Sequence, residues 1–278
     1  MTSVPLLTLN DGLTAPQLGL GVWQVEGEKA ADIVQTALDA GYRAVDTAAM
    51  YRNEPGVGEG IRRSGVARED VYLTTKLGNG DHGFDAAMKA FDASLERLGT
   101  DYVDLYLMHW PLPMFDNYVE TWKAMVQMQK DGKARSIGVS NFEKEHLERI
   151  IGETGVVPAV NQIELHPKFQ QKAMRAYHQT HDIITESWSP LGSGRLIEDP
   201  GISKIAEKHG KSVPQTIIRF LLQEGLMVIP KSATPERIRA NFDVFDFTLD
   251  EADVETLRKM DSADGRNGPH PSEFDWKP

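Results

Sequence analysis

Four side chains of different chemistry stand near the ends of short apolar runs: Asp46, Tyr51, Lys76 and His109. Read singly, each has an ordinary structural account. Asp46 caps a turn, Tyr51 is an amphipathic rim residue, Lys76 snorkels to solvent, and His109 is a satisfied core histidine. Read together, they form an acid–base set. A phenol with an ordinary pKa of about 10 is a poor acid or base near neutrality. A neighbouring ammonium favours the phenolate and lowers that value, and a carboxylate keeps the ammonium charged and oriented. The imidazole then donates to a substrate oxygen or shares the proton relay. Such a set suits general-acid chemistry on a carbonyl.

These residues can meet only if the runs that carry them lie side by side. The apolar runs are Leu20 to Trp23, Tyr42 to Thr47, Val71 to Lys76, Val103 to His109, Ala134 to Val139, Ala159 to Ile163, Ile183 to Ser187 and Leu226 to Ile229. Helical patterns separate them. In the first, Ala30, Ile33, Val34, Ala37 and Leu38 form one stripe and Gly41 stops it. Another opens with the capping box Ser212-Val-Pro-Gln215. Eight strand–helix units predict an α/β chain folded as a single (β/α)8 TIM barrel, with chemistry at the C-terminal ends of the strands. Leu6 to Leu9, the turn Asn10-Asp11-Gly12 and Leu13 to Leu18 predict an N-terminal β-hairpin before it. The rival doubly wound fold lacks its glycine fingerprint. Gly56-Val-Gly-Glu-Gly60 has the wrong spacing and reads as a close-packed helix start.

Composition sets outer limits. The chain has 278 residues, no cysteine and a formal charge of −11. Without cysteine there is no disulfide, thiolate metal site or cysteine nucleophile. The acidic balance argues against a nucleic-acid surface. No linker or low-complexity tract divides the chain, so residues 1–278 read as one domain. No signal peptide and no bilayer-length apolar run are visible, which predicts a cytoplasmic protein without membrane partners. His166, His178 and His181 make no recognisable metal set, although His178 and His181 share a helix face at i, i+3.

Several longer motifs occur in order: Gly41-Tyr-Arg-Ala-Val-Asp-Thr-Ala-Ala-Met-Tyr51, Thr75-Lys76-Leu77, Asp104-Leu-Tyr-Leu-Met-His-Trp-Pro111, Ile137-Gly-Val-Ser-Asn141, Val160-Asn-Gln-Ile-Glu164 and Ile229-Pro-Lys-Ser232. With these the chain resembles the aldo-keto reductases over nearly its whole length. Glu186-Ser-Trp-Ser-Pro-Leu-Gly192 and Asn241-Phe-Asp-Val-Phe-Asp-Phe247 bring it nearest to the bacterial 2,5-diketo-D-gluconate reductases. The resemblance implies NADPH-dependent reduction of an aldehyde or ketone, keto sugars and keto acids included, by a monomeric enzyme. It implies that Tyr51 protonates the carbonyl oxygen, Lys76 tunes it, Asp46 pairs with Lys76 and His109 orients the substrate. The two electrons must come from the cofactor, since none of these side chains supplies a hydride.

The resemblance also implies a cofactor site. Ser140, Asn141 and Gln162 hold the nicotinamide carboxamide, Trp188 stacks on its ring, and Ser189, Leu191 and Gly192 follow on the same loop. Trp188 has an alternative as a simple packing residue. Thr234 and Pro235 read as an N-cap and first helical residue beside Lys231, Ser232 and Arg237, with Asn241 beyond. Two cations at a helix start suit the extra phosphate of NADPH. On the substrate side the resemblance implies Trp23, Met50 and Trp110 as pocket walls, with rim packing the alternative for Met50. Gly78 departs from relatives that carry Trp after Lys-Leu. With the short Leu112–Asn117 loop and Asp264–Pro278 tail, it predicts an open, wide pocket; whether His270 closes over it is left open. Two other functions stay in play: a Schiff-base lyase using Lys76, and a non-catalytic NADPH-binding barrel.

Overall fold

The computed structural model describes residues 4–276. The hairpin comes first, β1 (Leu6–Thr8) antiparallel to β2 (Thr14–Pro16), with Thr8 opposite Thr14. The barrel strands then follow as β3 (Leu20–Gly21), β4 (Ala44–Asp46), β5 (Tyr72–Leu77), β6 (Val103–Met108), β7 (Ala134–Ser140), β8 (Val160–Glu164), β9 (Ile184–Trp188) and β10 (Met227–Val228). They form one parallel eight-stranded sheet in chain order. Its two edges meet through parallel bridges, Leu18 with Val228 and Gly21 with Lys231, so the sheet closes.

Between the strands run α1 (Gly27–Ala40), α2 (Glu54–Ser64), α3 (Phe84–Leu98), α4 (Tyr118–Lys130), α5 (Lys144–Thr154), α6 (Lys172–Thr180), α7 (Pro200–His209), α8 (Val213–Gln223), α9 (Pro235–Phe242) and α10 (Glu251–Arg258). The α1 stripe is buried as its spacing requires, and Gly41 ends the helix at φ 111°. Ser212 and Gln215 close the capping box of α8 reciprocally, satisfying two backbone donors at its start. The glycines of α2 let helices touch backbone to backbone. A Cβ on Gly58 would lie 1.9 Å from the Leu98 carbonyl oxygen, and one on Gly56 2.4 Å from that of Gly27. This is the close-packed helix start that the Gly-x-Gly-x-Gly spacing predicts.

Two apolar compartments result. The larger lies between sheet and helices. The smaller lies inside the barrel, where Ala44, Tyr72, Leu105, Leu107, Val160 and Met227 pack with Leu9 and Ala15 of the hairpin. The hairpin therefore stoppers the N-terminal end, and chemistry is confined to the other end.

Candidate active site

The loop after β4 carries Tyr51 on a short 3-10 turn, Ala49–Tyr51, stopped by Arg52 in a left-handed conformation. A buried network fixes that loop. Thr47 donates to Asn53 Oδ1 at 2.6 Å, and Asn53 Nδ2 donates to the carbonyls of Val22 and Val25 at 2.9 and 3.1 Å. Just beyond, Glu54 accepts from Thr75 Oγ1 at 2.6 Å and from Arg97 Nε at 2.7 Å. Asn53 and Glu54 are positioning residues that the sequence motifs do not single out. Their signal is only a polar pair at a helix start, which ordinary capping explains equally well.

Lys76 is wholly buried, and its Nζ donates to Asp46 Oδ1 at 2.6 Å and to the Thr47 carbonyl at 2.9 Å. Its ammonium sits 5.1 Å from the centre of the Tyr51 ring. The His109 ring meets Tyr51 edge-on, centroids 5.7 Å apart. Burial pulls the Lys76 pKa down, but the Asp46 carboxylate, joined by the Tyr51 phenolate once that forms, more than offsets this and holds the ammonium above its ordinary value. Burial pushes the Tyr51 phenol up by more than Lys76 draws it down. The expected lowering of the phenol pKa therefore does not hold, because desolvation, aided by the Asp46 charge, outweighs one ammonium. Burial, then Lys76, drives His109 well below an ordinary histidine, so its imidazole is neutral. Its Nδ1 is enclosed without a partner.

These groups open into a cavity of about 440 Å³ lined by Asp46, Tyr51, His109, Ser140, Asn141, Gln162, Trp188, Ser189 and Lys231 on one side and Trp23, Met50 and Trp110 on the other. Asn141 and Ser189 both hold positive φ, 62° and 49°, an uncommon conformation that concentrates at functional sites. The Asn141 amide donates to the His109 carbonyl and to Ser140 Oγ, both at 3.0 Å, and its Oδ1 accepts from Trp188 Nε1 at 2.8 Å. Gln162 Nε2 donates to Asp46 Oδ2 at 2.9 Å and to Glu186 Oε2 at 2.8 Å. With their amide hydrogens committed, Asn141 and Gln162 present only oxygen acceptors to a further ligand. Leu191, Gly192, Ser232, Arg237 and Asn241 lie outside the cavity lining. Ser232 is buried with an unpartnered hydroxyl, and neither Lys231 nor Arg237 has an ion pair among the described residues. Thr234 caps α9 without a side-chain hydrogen bond, leaving first-turn donors beside those cations.

The expectation of an open mouth is corrected. The tail folds across the cavity, adding Asn267, Gly268, Pro269, Phe274 and Trp276 to its lining. Glu164 tethers it by accepting from the backbone amides of Asn267 at 2.7 Å and Gly268 at 2.8 Å. Phe274 packs on Trp110 with centroids 4.2 Å apart, and Asn79 Nδ2 donates to the Trp276 carbonyl at 2.9 Å beside Gly78. Thus the tail backbone is anchored next to Gly78, while the space a side chain there would enter borders Asp81 and Met50. His270 instead approaches Glu143, Nε2 to Oε1 3.5 Å. The histidine reading changes in one detail: α6 ends at Thr180, so His181 is outside the helix, while buried His178 contacts Asn161 and Thr185. No cluster among the described residues is suited to hold a metal ion, and no helix among them is long and apolar enough to cross a membrane.

A larger cleft of about 860 Å³ opens at the hairpin end. Its arginines, Arg175 and Arg258, both spend themselves on Glu224 at 2.9 and 2.8 Å. Size alone does not select a site, and the acid–base chemistry is in the smaller cavity.

Residues 17–262 match the model of the Aldo/keto reductase family. An aldo-keto reductase of Mycolicibacterium smegmatis is 54% identical, covering 98% of this chain and 98% of its own length. The methylglyoxal reductase DkgA of Escherichia coli K12 is 49% identical over 99% of both chains. The crystal structure of a Gox0644 mutant in complex with NADPH superposes with a TM-score of 0.96 at 49% identity, covering 99% of this chain and 100% of that one.

Proposed function

The chain belongs to the aldo/keto reductase family, and we propose on that premise that it reduces small aldehydes and ketones with NADPH, Tyr51 giving the proton. The residues around the mouth fit that cofactor. The buried, unpartnered Ser232 hydroxyl and the unpaired Lys231 and Arg237 at the start of α9 suit an anionic phosphate. The acceptor oxygens left on Asn141 and Gln162 suit the amide hydrogens of a carboxamide, and the partly exposed Trp188 indole suits a stacked ring. Ser140, Ser189, Leu191, Gly192 and Asn241 complete the cofactor surface in this reading. When bound, the nicotinamide supplies the hydride.

The rest of the chemistry belongs to the chain. A substrate carbonyl oxygen sits between Tyr51 and His109. Neutral His109 donates a hydrogen bond and selects the orientation, while the phenol, un-ionised at neutral pH, gives its proton as negative charge develops on that oxygen. Lys76, held charged by Asp46, stabilises the phenolate left behind. Trp23, Trp110 and Phe274 give the space around this exchange an aromatic lining. The observation that carries the reading is the buried Asp46–Lys76 pair lying beneath Tyr51 at the cavity floor.

The volume of the cavity, about 440 Å³, favours small substrates, methylglyoxal and diketo sugar acids among them. A lyase with Lys76 as nucleophile is disfavoured, since that amine is fully buried, doubly hydrogen-bonded and held protonated. The test is NADPH oxidation with a panel of aldehydes, 2-keto acids and diketo sugars. Tyr51→Phe should lose roughly 10²–10⁴-fold in kcat, the usual contribution of a positioned general acid, with NADPH affinity intact. Undiminished turnover overturns the mechanism, and no turnover in either protein leaves the non-catalytic barrel.

A further inference from the structure

Glu186 has a place in the barrel that its charge makes costly. It is wholly buried on β9, with Gln162 of β8 as its register partner on one side and Met227 of β10 on the other. Its Oε2 accepts one hydrogen bond, from Gln162 Nε2 at 2.8 Å, and its Oε1 has no partner. No cation pairs with it among the described residues. The nearest one, Lys76, is committed to Asp46 at 2.6 Å. A buried carboxylate with one neutral donor and no cation is unstable as an anion, whereas the uncharged acid is tolerated.

The connection to the reacting end is direct. The amide nitrogen that binds Glu186 also binds Asp46 Oδ2 at 2.9 Å, and Asp46 Oδ1 holds Lys76. Glu186, Gln162, Asp46 and Lys76 thus form one hydrogen-bonded row ending beneath Tyr51. With Glu186 uncharged the row carries one carboxylate and one ammonium and is neutral. With Glu186 ionised it carries a buried surplus negative charge, which disfavours phenolate formation at Tyr51 and competes for Gln162.

We propose that Glu186 is a positioning residue for the reduction, working as an uncharged carboxylic acid that keeps Gln162 bridged to Asp46 and keeps the Asp46–Lys76 row neutral. This rests on the reading of Tyr51 as proton donor. The titratable groups facing Glu186 are Asp46 from β4, Lys76 and Tyr72 from β5, and Tyr51 from the loop after β4; β10 presents Met227. Glu164, two residues along β8 from Gln162, is occupied by the tail amides and by His166. Desolvation, then the Asp46 charge, pushes the Glu186 pKa up to about 8, while Tyr72 stays a phenol, driven well above its ordinary value by burial. Above neutral pH Glu186 therefore gives up its proton before Lys76 and Tyr51, both of which are held above their ordinary values.

The test compares wild type, Glu186→Gln and Tyr51→Phe in single-turnover reduction of methylglyoxal with saturating NADPH from pH 6 to 9.5. The glutamine keeps an acceptor for Gln162 and cannot ionise. Wild-type turnover should fall about tenfold between pH 7 and pH 9 as the acid form is titrated. Glu186→Gln should match wild type at pH 6.5, change less than about twofold over that range, and leave the half-saturating methylglyoxal concentration unaltered. Superimposed profiles of wild type and Glu186→Gln, with Tyr51→Phe inactive, overturn the inference alone; turnover retained by Tyr51→Phe overturns the reading beneath it. A second readout needs neither turnover nor a folded variant. Infrared spectra of the wild type should show a buried carboxylic-acid carbonyl band at pH 7 that disappears by pH 9.5, and its absence at pH 7 overturns the proposal.

Discussion

Arg237→Ala isolates the proposed cofactor phosphate contact with little risk to the fold. Arg237 is exposed in the first turn of α9 and makes no hydrogen bond or ion pair among the described residues. A cation at a helix N-terminus opposes the helix dipole, so its removal does not weaken α9. Hydrogen bonds to charged groups contribute about 1.5–3 kcal/mol, and solvent exposure selects the lower end. At about 1.4 kcal/mol per decade, NADPH affinity should fall roughly tenfold. NADH lacks the extra phosphate, so its affinity should move less than about twofold. Trp188, Trp23 and Trp110 border the cavity and give a fluorescence signal for titrating both nucleotides against wild type and variant. An equal loss for both places Arg237 elsewhere in the cofactor site, and no loss for either removes it from the site.

Two further predictions concern the scaffold. His178 is buried and held neutral, its pKa lowered by burial, then by His181, to about 4 from an ordinary 6.5. Because the unfolded imidazole takes up a proton more readily than the folded one, this contribution is complete above about pH 6.5 and is lost as pH falls towards 4. It should cost roughly 2 kcal/mol between pH 7 and pH 5. Urea midpoints for wild type and His178→Gln at the two pH values check this; an equal pH slope in both proteins refutes it. Gly58→Ala should destabilise by about 1–3 kcal/mol, the usual penalty of overpacking, because its methyl collides with the Leu98 carbonyl. A lowered Tm with unchanged kcat at 25 °C is the expected result, and an unchanged Tm would show that α2 and α3 separate freely.

The barrel was legible because its strands are short apolar runs separated by helices whose stripes and stops are local properties. The α1 stripe with Gly41 and the α8 capping box are cases in which the residues that make the signal also make the structure. Asp46, Tyr51, Lys76 and His109 could be brought together on paper because a barrel sends successive strand ends to one mouth. What was hidden depends on distance through space. Nothing local in Asn267 or Gly268 shows that Glu164, a hundred residues earlier, holds them over the cavity. The Trp276 carbonyl could not be matched to Asn79 for the same reason. Glu186 did leave a trace, a charge inside an apolar strand, but its lack of a cation emerges only when all neighbouring strands are in place. The phenol pKa was misjudged because a pairwise view counts Lys76 and leaves out the cost of burial.

The apolar plug beneath the row, sealed by Leu9 and Ala15 of the hairpin, makes the two ends of the barrel unlike. Leu105, Leu107, Val160 and Met227 fill the barrel below the row, so a small molecule reaches Tyr51 from the end that carries the cavity. On the proposed mechanism, substrate, nicotinamide and product all share that one opening. Entry and exit at a single mouth then oblige product to leave before the next substrate can reach Tyr51.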